Sequence, residues 1–177
     1  LNGKAYVDDA TIMSWQLANE PRPGNSKTTA NEKQIYVDWV NNTTAYIKSL
    51  DPHHLVSTGS EGIKGSAEDE KLFVDAHASK NVDYLTYHMW IRNWGWFDKT
   101  KPAETWDSAW VKGKDYLNVH IDIAKKIGKP IVLEEFGLDR DMGAYGLHTP
   151  TKYRDKFYQQ TFDLLWPRMK QGEPIAG

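Results

Sequence analysis

The chain has 177 residues, which is about the size of one domain. Its 22 Lys and Arg residues nearly balance 24 Asp and Glu residues, so charge does not suggest a surface for nucleic acid or anionic membrane. No apolar run approaches the ~18 residues of a membrane span, and the lack of cysteine excludes disulfides. The 8 Trp and 9 Tyr residues indicate large aromatic faces, either in the core or as stacking platforms.

Short β-like segments alternate with longer amphipathic segments. In chain order the predictions are a strand over 11–18, a helix over 31–50, a strand over 55–58, a helix over 70–78, a strand over 82–88, a helix over 108–127, a strand over 131–135 and a helix over 151–171. Pro167 is expected to interrupt the last helix, and a further strand begins near Pro174. This succession predicts an α/β fold of about four βα units with a parallel sheet. Four units suit half of an eight-unit barrel or a small open sheet.

Polar residues cluster directly after the predicted strands. Asn19 and Glu20 follow the first strand, Glu61 the second, His88 ends the third and Glu134–Glu135 end the fourth. Ligand sites of parallel α/β folds lie at the carboxyl ends of the strands. A single carboxylate there is usually a loop residue or a helix cap, but two of them with an Asn and a His indicate a catalytic site. Paired carboxylates suit glycoside hydrolysis, in which one protonates the leaving oxygen and the other attacks the sugar.

Four ordered segments carry a family resemblance: SWQLANEPRPG at 14–24, LVSTGSEG at 55–62, the segment 88–96 and KPIVLEEFG at 129–137. Together they resemble the retaining (β/α)8 glycoside hydrolases of family 5, and in particular their β-mannanases. The resemblance implies that residues 1–177 are a partial catalytic domain, running from just before the fourth strand of a TIM barrel to the start of the eighth. Because a whole barrel usually needs about 250 residues, an open half-barrel is expected, and the remaining strands are expected to be needed for activity.

The resemblance also implies the catalytic roles. Glu20 corresponds to the general acid/base and Glu135 to the nucleophile, and a retaining pair holds its carboxyl groups about 5–5.5 Å apart. Asn19 corresponds to the residue that holds the sugar 2-hydroxyl, and His88 to one that hydrogen-bonds the sugar or the carboxylates. Glu134 competes with Glu135 for the nucleophile role, but it is expected to be structural because successive strand residues face opposite sides.

Further residues match positions along the cleft of this family. Trp90 stands where a tyrosine is common whose hydroxyl touches the nucleophile, and an indole N–H donates but does not accept. Arg22 and Glu61 match the aglycone side of mannanase clefts, with a surface ion pair as the alternative. Trp94 and Trp96 are either sugar platforms or a self-packed aromatic loop.

The remaining motifs give no sign of a cofactor. The six histidines show no metal-binding spacing, and neither G-x-G-x-x-G nor G-x-x-x-x-G-K-[ST] occurs, so no metal or nucleotide is predicted. Trp15, Trp39 and Trp110 lie inside predicted strands or helices and are assigned to the core.

The expected function is that of an enzyme, a retaining endo-1,4-β-mannanase that cleaves β-1,4-mannosidic bonds in mannan or glucomannan. A β-1,4-glucanase and an exo-acting β-mannosidase remain alternatives. The catalytic carboxylates do not distinguish mannose from glucose, and they do not show whether one end of the cleft is blocked. A non-catalytic carbohydrate-binding protein is disfavoured, since such modules are mostly β-sandwiches without long helices. The resemblance further implies a secreted, extracellular or periplasmic protein, although no signal peptide is visible in this sequence.

Overall fold

Strands and helices alternate along residues 3–177, which the computed structural model describes. The strands are β1 (Ser14–Gln16), β2 (Leu55–Ser57), β3 (Leu85–Met89) and β4 (Ile131–Phe136). The helices are α1 (Ala30–Leu50), α2 (Glu70–His77), α3 (Pro102–Ile127) and α4 (Lys152–Lys170). Two short 3-10 turns cover Tyr6–Asp8 and Asp141–Gly143. The four predicted βα units are therefore present, in the predicted order.

The strands pair in parallel and in chain order. β1 pairs with β2, with Trp15 opposite Val56, and β3 pairs with β4, with Leu85 opposite Ile131. Between β2 and β3 the regular ladder is replaced by contacts of Asp83. Its N–H donates to the Val56 carbonyl at 2.8 Å, and its carboxylate accepts the Val56 N–H at 2.6 Å. The sheet therefore consists of two parallel pairs side by side, where the sequence predicts one continuous sheet.

The segment after α4 lies beside β4. The N–H of Ile131 donates to the Pro174 carbonyl at 2.8 Å, and the N–H of Ala176 donates to the Ile131 carbonyl at 2.9 Å. A parallel bridge between Ile131 and Ile175 agrees with the strand predicted to begin near Pro174. Successive strands thus lie edge to edge from β1 to this segment, as in the wall of a barrel.

The helix ends follow local sequence signals. Thr29 and Glu32 form a capping box at the start of α1, in which each side chain accepts the backbone N–H of the other residue. α3 begins at Pro102, earlier than the predicted residue 108. Proline is well suited to the first turn of a helix, because the backbone N–H that it lacks would have no partner within the helix. α4 continues through Pro167, so the predicted interruption is wrong; the proline removes only its own donor near the helix end. No helix within residues 3–177 is both long and apolar enough to cross a membrane.

The main core lies between β3, β4 and the helices that cover them. β3 is buried along its whole length. Its Leu85 and Tyr87 belong to one cluster with Phe73 of α2, Ile121 of α3 and Phe157 of α4. Because this cluster surrounds β3, the carboxyl end of that strand is fixed in position beneath the candidate site.

The tryptophans assigned to the core are not all buried. Trp15 and Trp110 are half-buried, whereas Trp39 is 36% exposed, so its assignment to the core is wrong. Trp39 packs beside Tyr36 on α1, with ring centroids 5.8 Å apart, and lines an open groove of about 450 Å³ that also includes Pro21. Helical spacing identifies the apolar face of α1, but it does not show whether another element covers that face.

Candidate active site

Glu20 lies just after β1, on a turn that Gly59 makes possible. The φ of Glu20 is 49°, which is uncommon for a residue other than glycine, and its N–H donates to the Gly59 carbonyl at 2.9 Å. A Cβ atom on Gly59 would lie 2.0 Å from the Ala18 carbonyl oxygen, so only glycine allows the two backbones to approach this closely. The contact between these two turns therefore determines where the Glu20 carboxylate projects.

A β-bulge shapes the ends of β3 and β4. The register passes from Tyr87 opposite Leu133 to His88 opposite Glu135, which leaves Glu134 as an extra residue in β4. Both acidic side chains consequently approach the same imidazole: Glu135 Oε2 lies 3.4 Å from His88 Nδ1, and Glu134 Oε2 lies 3.9 Å from His88 Nε2. The expectation that Glu134 and Glu135 face opposite sides is therefore wrong, because it assumed an unbroken strand.

Glu20 and Glu135 meet at the buried imidazole of His88. Glu20 Oε1 lies 2.8 Å from His88 Nδ1, the atom that also lies 3.4 Å from Glu135. One oxygen of each carboxylate and this ring nitrogen all lie within 4.8 Å of one another. The indole N–H of Trp90 donates to Glu135 Oε2 at 3.2 Å. Trp90 therefore places an N–H donor on Glu135.

The protonation of His88 follows from its surroundings. Burial lowers the pKa of His88, but the neighbouring carboxylates of Glu134, Glu20 and Glu135 outweigh burial and raise the pKa above its usual value. Glu20, His88 and Glu135 are also spaced closely enough to hold a cation. A cation bound there would displace the existing hydrogen bond between His88 and Glu20, so the arrangement fits a proton-sharing network better than a metal centre.

Arg22 joins Glu20 to the buried carboxylate of Glu61. Its Nη2 lies 3.2 Å from Glu20 Oε2 and 2.5 Å from Glu61 Oε2. Glu61 is only 2% exposed, and it also accepts the indole N–H of Trp94 at 2.9 Å. Burial raises the pKa of Glu61, while the bond from Trp94 and the charge of Arg22 act in the opposite direction. This pair is therefore not a simple surface ion pair, because one partner is buried and the other reaches the candidate acid.

Trp94 and Trp96 pack against each other and against the core. Their ring centroids are 4.9 Å apart in an edge-to-face arrangement, and Trp94 makes a similar contact with Tyr116 at 4.9 Å. The ammonium of Lys64 lies 5.9 Å and 5.6 Å from the two indole centroids. Of the two open interpretations, this geometry matches the self-packed loop, although Trp94 also lines a cleft of about 270 Å³ beside Arg22.

Two residues of α3 that belong to none of the sequence motifs hold the loop after β2. The Tyr116 hydroxyl donates to the Glu61 carbonyl at 2.8 Å, and His120 Nε2 accepts the Ile63 N–H at 3.0 Å. His120 Nδ1 lies 2.7 Å from the Tyr116 carbonyl, so Nδ1 carries the proton of a neutral ring. Their spacing of one helical turn could have indicated a shared face, but not which loop that face contacts.

Comparison with known proteins identifies the family. A family model described as "GH family 5 beta-mannosidase-like" matches residues 1–177. The chain belongs to this glycoside hydrolase family. It is 29% identical, over all of its length, to mannan endo-1,4-beta-mannosidase 1 of Arabidopsis thaliana, and 32% identical over 77% of its length to mannan endo-1,4-beta-mannosidase F of Aspergillus clavatus. It covers 44% and 30% of these relatives, respectively.

Solved structures of family 5 enzymes share the fold. The mannosidase of Rhizomucor miehei aligns over 92% of this chain at 37% identity with a TM-score of 0.77, and the endo-beta-1,4-mannanase of Thermotoga petrophila aligns over 98% at 29% identity with a TM-score of 0.69. The chain covers 37% and 36% of those two structures. The expected fold class, part of a (β/α)8 barrel, is therefore confirmed, and the chain spans less than half the length of each of these four relatives.

Most of the residues singled out in the family 5 motifs come together in the structure. Glu20, His88, Trp90 and Glu135 form one contact network, and Arg22 links it to Glu61 and Trp94. Asn19 is exposed next to Glu20, and Trp96 lies behind Trp94. Glu134 and the Gln16 amide that donates to it were not assigned to the site, because a bulge has no signature in the LEEFG motif.

Proposed function

We propose that this chain carries the catalytic pair of a retaining β-mannan hydrolase, with Glu20 as general acid/base and Glu135 as nucleophile. The observation that carries the proposal is the position of both carboxylates on one imidazole, with oxygens within 4.8 Å of each other. Inverting enzymes need about 6.5–9.5 Å to fit a water molecule, whereas retaining enzymes need about 5–5.5 Å. The observed separation supports double displacement.

The proposed reaction has two steps. In the first step Glu135 attacks the anomeric carbon while Glu20 protonates the departing glycosidic oxygen. In the second step Glu20 deprotonates a water molecule, which attacks the same carbon and releases the sugar from Glu135. The indole N–H of Trp90, which donates to Glu135, and the His88 ring, 3.4 Å from it, are proposed to hold Glu135 in an attacking orientation. Asn19, exposed beside Glu20, is assigned to the sugar 2-hydroxyl, whose contacts strengthen in the transition state.

The proposed substrate is a β-1,4-linked mannan, glucomannan or derived oligosaccharide. The names of the plant, fungal and bacterial relatives support it, and a Rhizomucor miehei mannosidase structure contains mannosyl-fructose. An exo-acting β-mannosidase is the second candidate, supported by the 37% identity to that mannosidase. Secretion and a requirement for the remaining barrel strands belong to the same proposal and rest on the family resemblance.

The test is kinetic, in the enzyme with its complete barrel. Glu135→Ala is expected to abolish turnover, because no covalent intermediate can form. Glu20→Ala is expected to reduce mannan hydrolysis about 10²–10⁴-fold but to spare activated aryl mannosides in the first step, because these need little protonation. Product analysis on mannan, glucomannan and cellulose identifies the sugar and the endo or exo mode. Equal losses on both substrate types, with no rescue by azide, would contradict the assigned roles.

A further inference from the structure

Glu134 is a mostly buried carboxylate with an unusual set of neighbours. Its side chain is 19% exposed, and its Oε1 accepts a hydrogen bond from the Gln16 amide of β1. Within residues 3–177, His88 is the one cationic group at ion-pair distance from it, at 3.9 Å from Nε2. Buried carboxylates are normally paired with a charge, so the partner that compensates Glu134 is the imidazole.

The two nitrogens of His88 face acids on opposite sides of the ring. Nδ1 lies between Glu20 and Glu135, whereas Nε2 faces Glu134. An ionised carboxylate accepts and does not donate, so a ring that pairs with ionised carboxylates on both sides carries a proton on each nitrogen. Gln16 holds Glu134 from β1, a strand that does not pair with β4, so the position of the Glu134 side chain is set by two separate strands.

We infer that Glu134 is a positioning residue that acts through His88: by pairing with the protonated Nε2 it holds the ring as an imidazolium, with Nδ1–H directed between Glu20 and Glu135. The inference rests on the proposed function, since the orientation matters for that carboxylate pair. The imidazolium places a positive charge beside both carboxylates, and the fixed ring plane sets the direction of the Nδ1–H group between them.

The other charged groups near His88 do not take over this role. Glu20 and Glu135 both lie on the Nδ1 side of the ring. Arg22 is paired with Glu20 and Glu61, and Glu61 is itself buried against Trp94. Removing the charge of Glu134 therefore leaves Nε2 without its carboxylate, while the partners of Nδ1 stay in place.

The direct test is the titration of His88 by NMR of ¹⁵N-histidine-labelled enzyme with its complete barrel, the signal being assigned by its loss in His88→Gln. In the unaltered enzyme both ring nitrogens are expected to stay protonated above the pH at which a free imidazole loses one proton. In Glu134→Gln the midpoint is expected to fall by about one pH unit or more. Glu70→Gln, the same change at an exposed site on α2, should leave it unchanged. An unchanged midpoint in Glu134→Gln overturns the inference.

Kinetics and a second variant complete the test. Glu134→Gln is expected to lower kcat about tenfold with little change in KM, because a ring that is less well fixed misplaces the two reacting carboxylates. The alkaline limb of its pH profile should move to lower pH with the NMR midpoint. Gln16→Leu keeps every charge but releases Glu134, so a smaller fall of the midpoint is expected. Because the titration needs no turnover, it tests the Glu134–His88 link even if the reaction proposed above is wrong. A shifted midpoint with unchanged kcat overturns the positioning role.

Discussion

Single side chains around the carboxylate pair are mostly hydrogen-bond donors. His88 contacts both Glu20 and Glu135, Trp90 donates to Glu135, and Arg22 pairs with Glu20. Hydrogen bonds to an ionised acceptor are stronger and shorter than neutral ones, so each donor fixes the direction of a carboxylate. The orientation of the pair therefore depends on residues that do not themselves react.

Trp90 offers a clean test of this dependence. Trp90→Phe removes the indole N–H but keeps an aromatic ring, and kcat/KM is expected to fall about 10-fold to 100-fold, since a hydrogen bond to a charged group contributes about 1.5–3 kcal/mol. Trp90→Tyr, which restores a donor, should recover part of the loss. Trp110→Phe, a half-buried tryptophan on α3, serves as the control in steady-state assays. Equal activities of the Phe and Tyr variants would show that the donor does not matter.

The site residues that the sequence predicts are those in contiguous motifs after strands, such as Asn19-Glu20. Carboxyl ends of parallel strands meet at one edge, so position along the chain was enough to bring Glu20, His88 and Glu135 together. The place of Glu134 could not be predicted in this way, because it depends on a one-residue shift in pairing between β3 and β4. The position of Glu61 likewise depends on a hydrogen bond to its backbone carbonyl from Tyr116, which lies in a helix far along the chain.

At the scale of elements, the turns after β1 and β2 are packed against each other more closely than side chains allow. Gly59 has a φ of 70°, and the position that a Cβ atom would occupy is filled by the Ala18 carbonyl oxygen. Gly128 at the end of α3 has a nearly identical φ of 75° but has open space where a Cβ would lie. The two glycines therefore separate the cost of backbone conformation from the cost of a clash.

Gly59→Ala is expected to lower the free energy of unfolding by about 3 kcal/mol or more. The energetic cost of holding alanine in the left-handed conformation adds to the cost of its clash with the Ala18 carbonyl. Gly128→Ala is expected to cost about 1 kcal/mol, from conformation alone. Urea unfolding of both variants measures the difference, and, if the proposed function is right, hydrolysis by the enzyme with its complete barrel should slow only for Gly59→Ala, since that turn positions Glu20. Similar unfolding energies for the two variants would contradict the close packing of the turns.

At the scale of the whole molecule, the alternation of strands and helices is what the sequence predicts best. Each unit has its own local signals, such as the capping box at Thr29 and the left-handed Gly128 after α3. The division of the sheet into two pairs is not predicted, because it depends on one side chain, Asp83, that replaces a ladder bond. The exposure of Trp39 is missed for a related reason, since burial depends on neighbours outside the helix that carries it.

Two buried imidazoles predict how stability depends on pH. Burial lowers the pKa of His77 to about 4 and that of His120 to about 3. In the unfolded chain these rings take up protons near pH 6.5, so the folded state loses stability as the pH falls below that value. His54 and His88, whose pKa values are raised, contribute their full stabilisation below pH 6.5 and lose it only as the pH rises, so they do not offset this loss.

The expected slope between pH 6 and 5 is about 1 kcal/mol per pH unit for each of the two buried rings. Urea unfolding at several pH values measures it, in the enzyme with its complete barrel. His120→Gln should flatten the slope, whereas His53→Gln, at an exposed position, should leave it as it was. A slope that is the same in both variants would contradict the assignment of the acid sensitivity to buried histidines.

The attachment of the loop after β2 to α3 has a consequence for the motion of the cleft wall. The N–H groups of Ile63 and Lys64 donate to His120 and to the Tyr116 hydroxyl, respectively, which are side chains of α3 and not part of the loop itself. Their amide hydrogens should therefore exchange with deuterium at the rate at which α3 opens, which is much slower than for a surface loop. The wall that carries Glu61 would then open and close with the core as one cooperative unit, and could not act as an independent flap over a bound sugar.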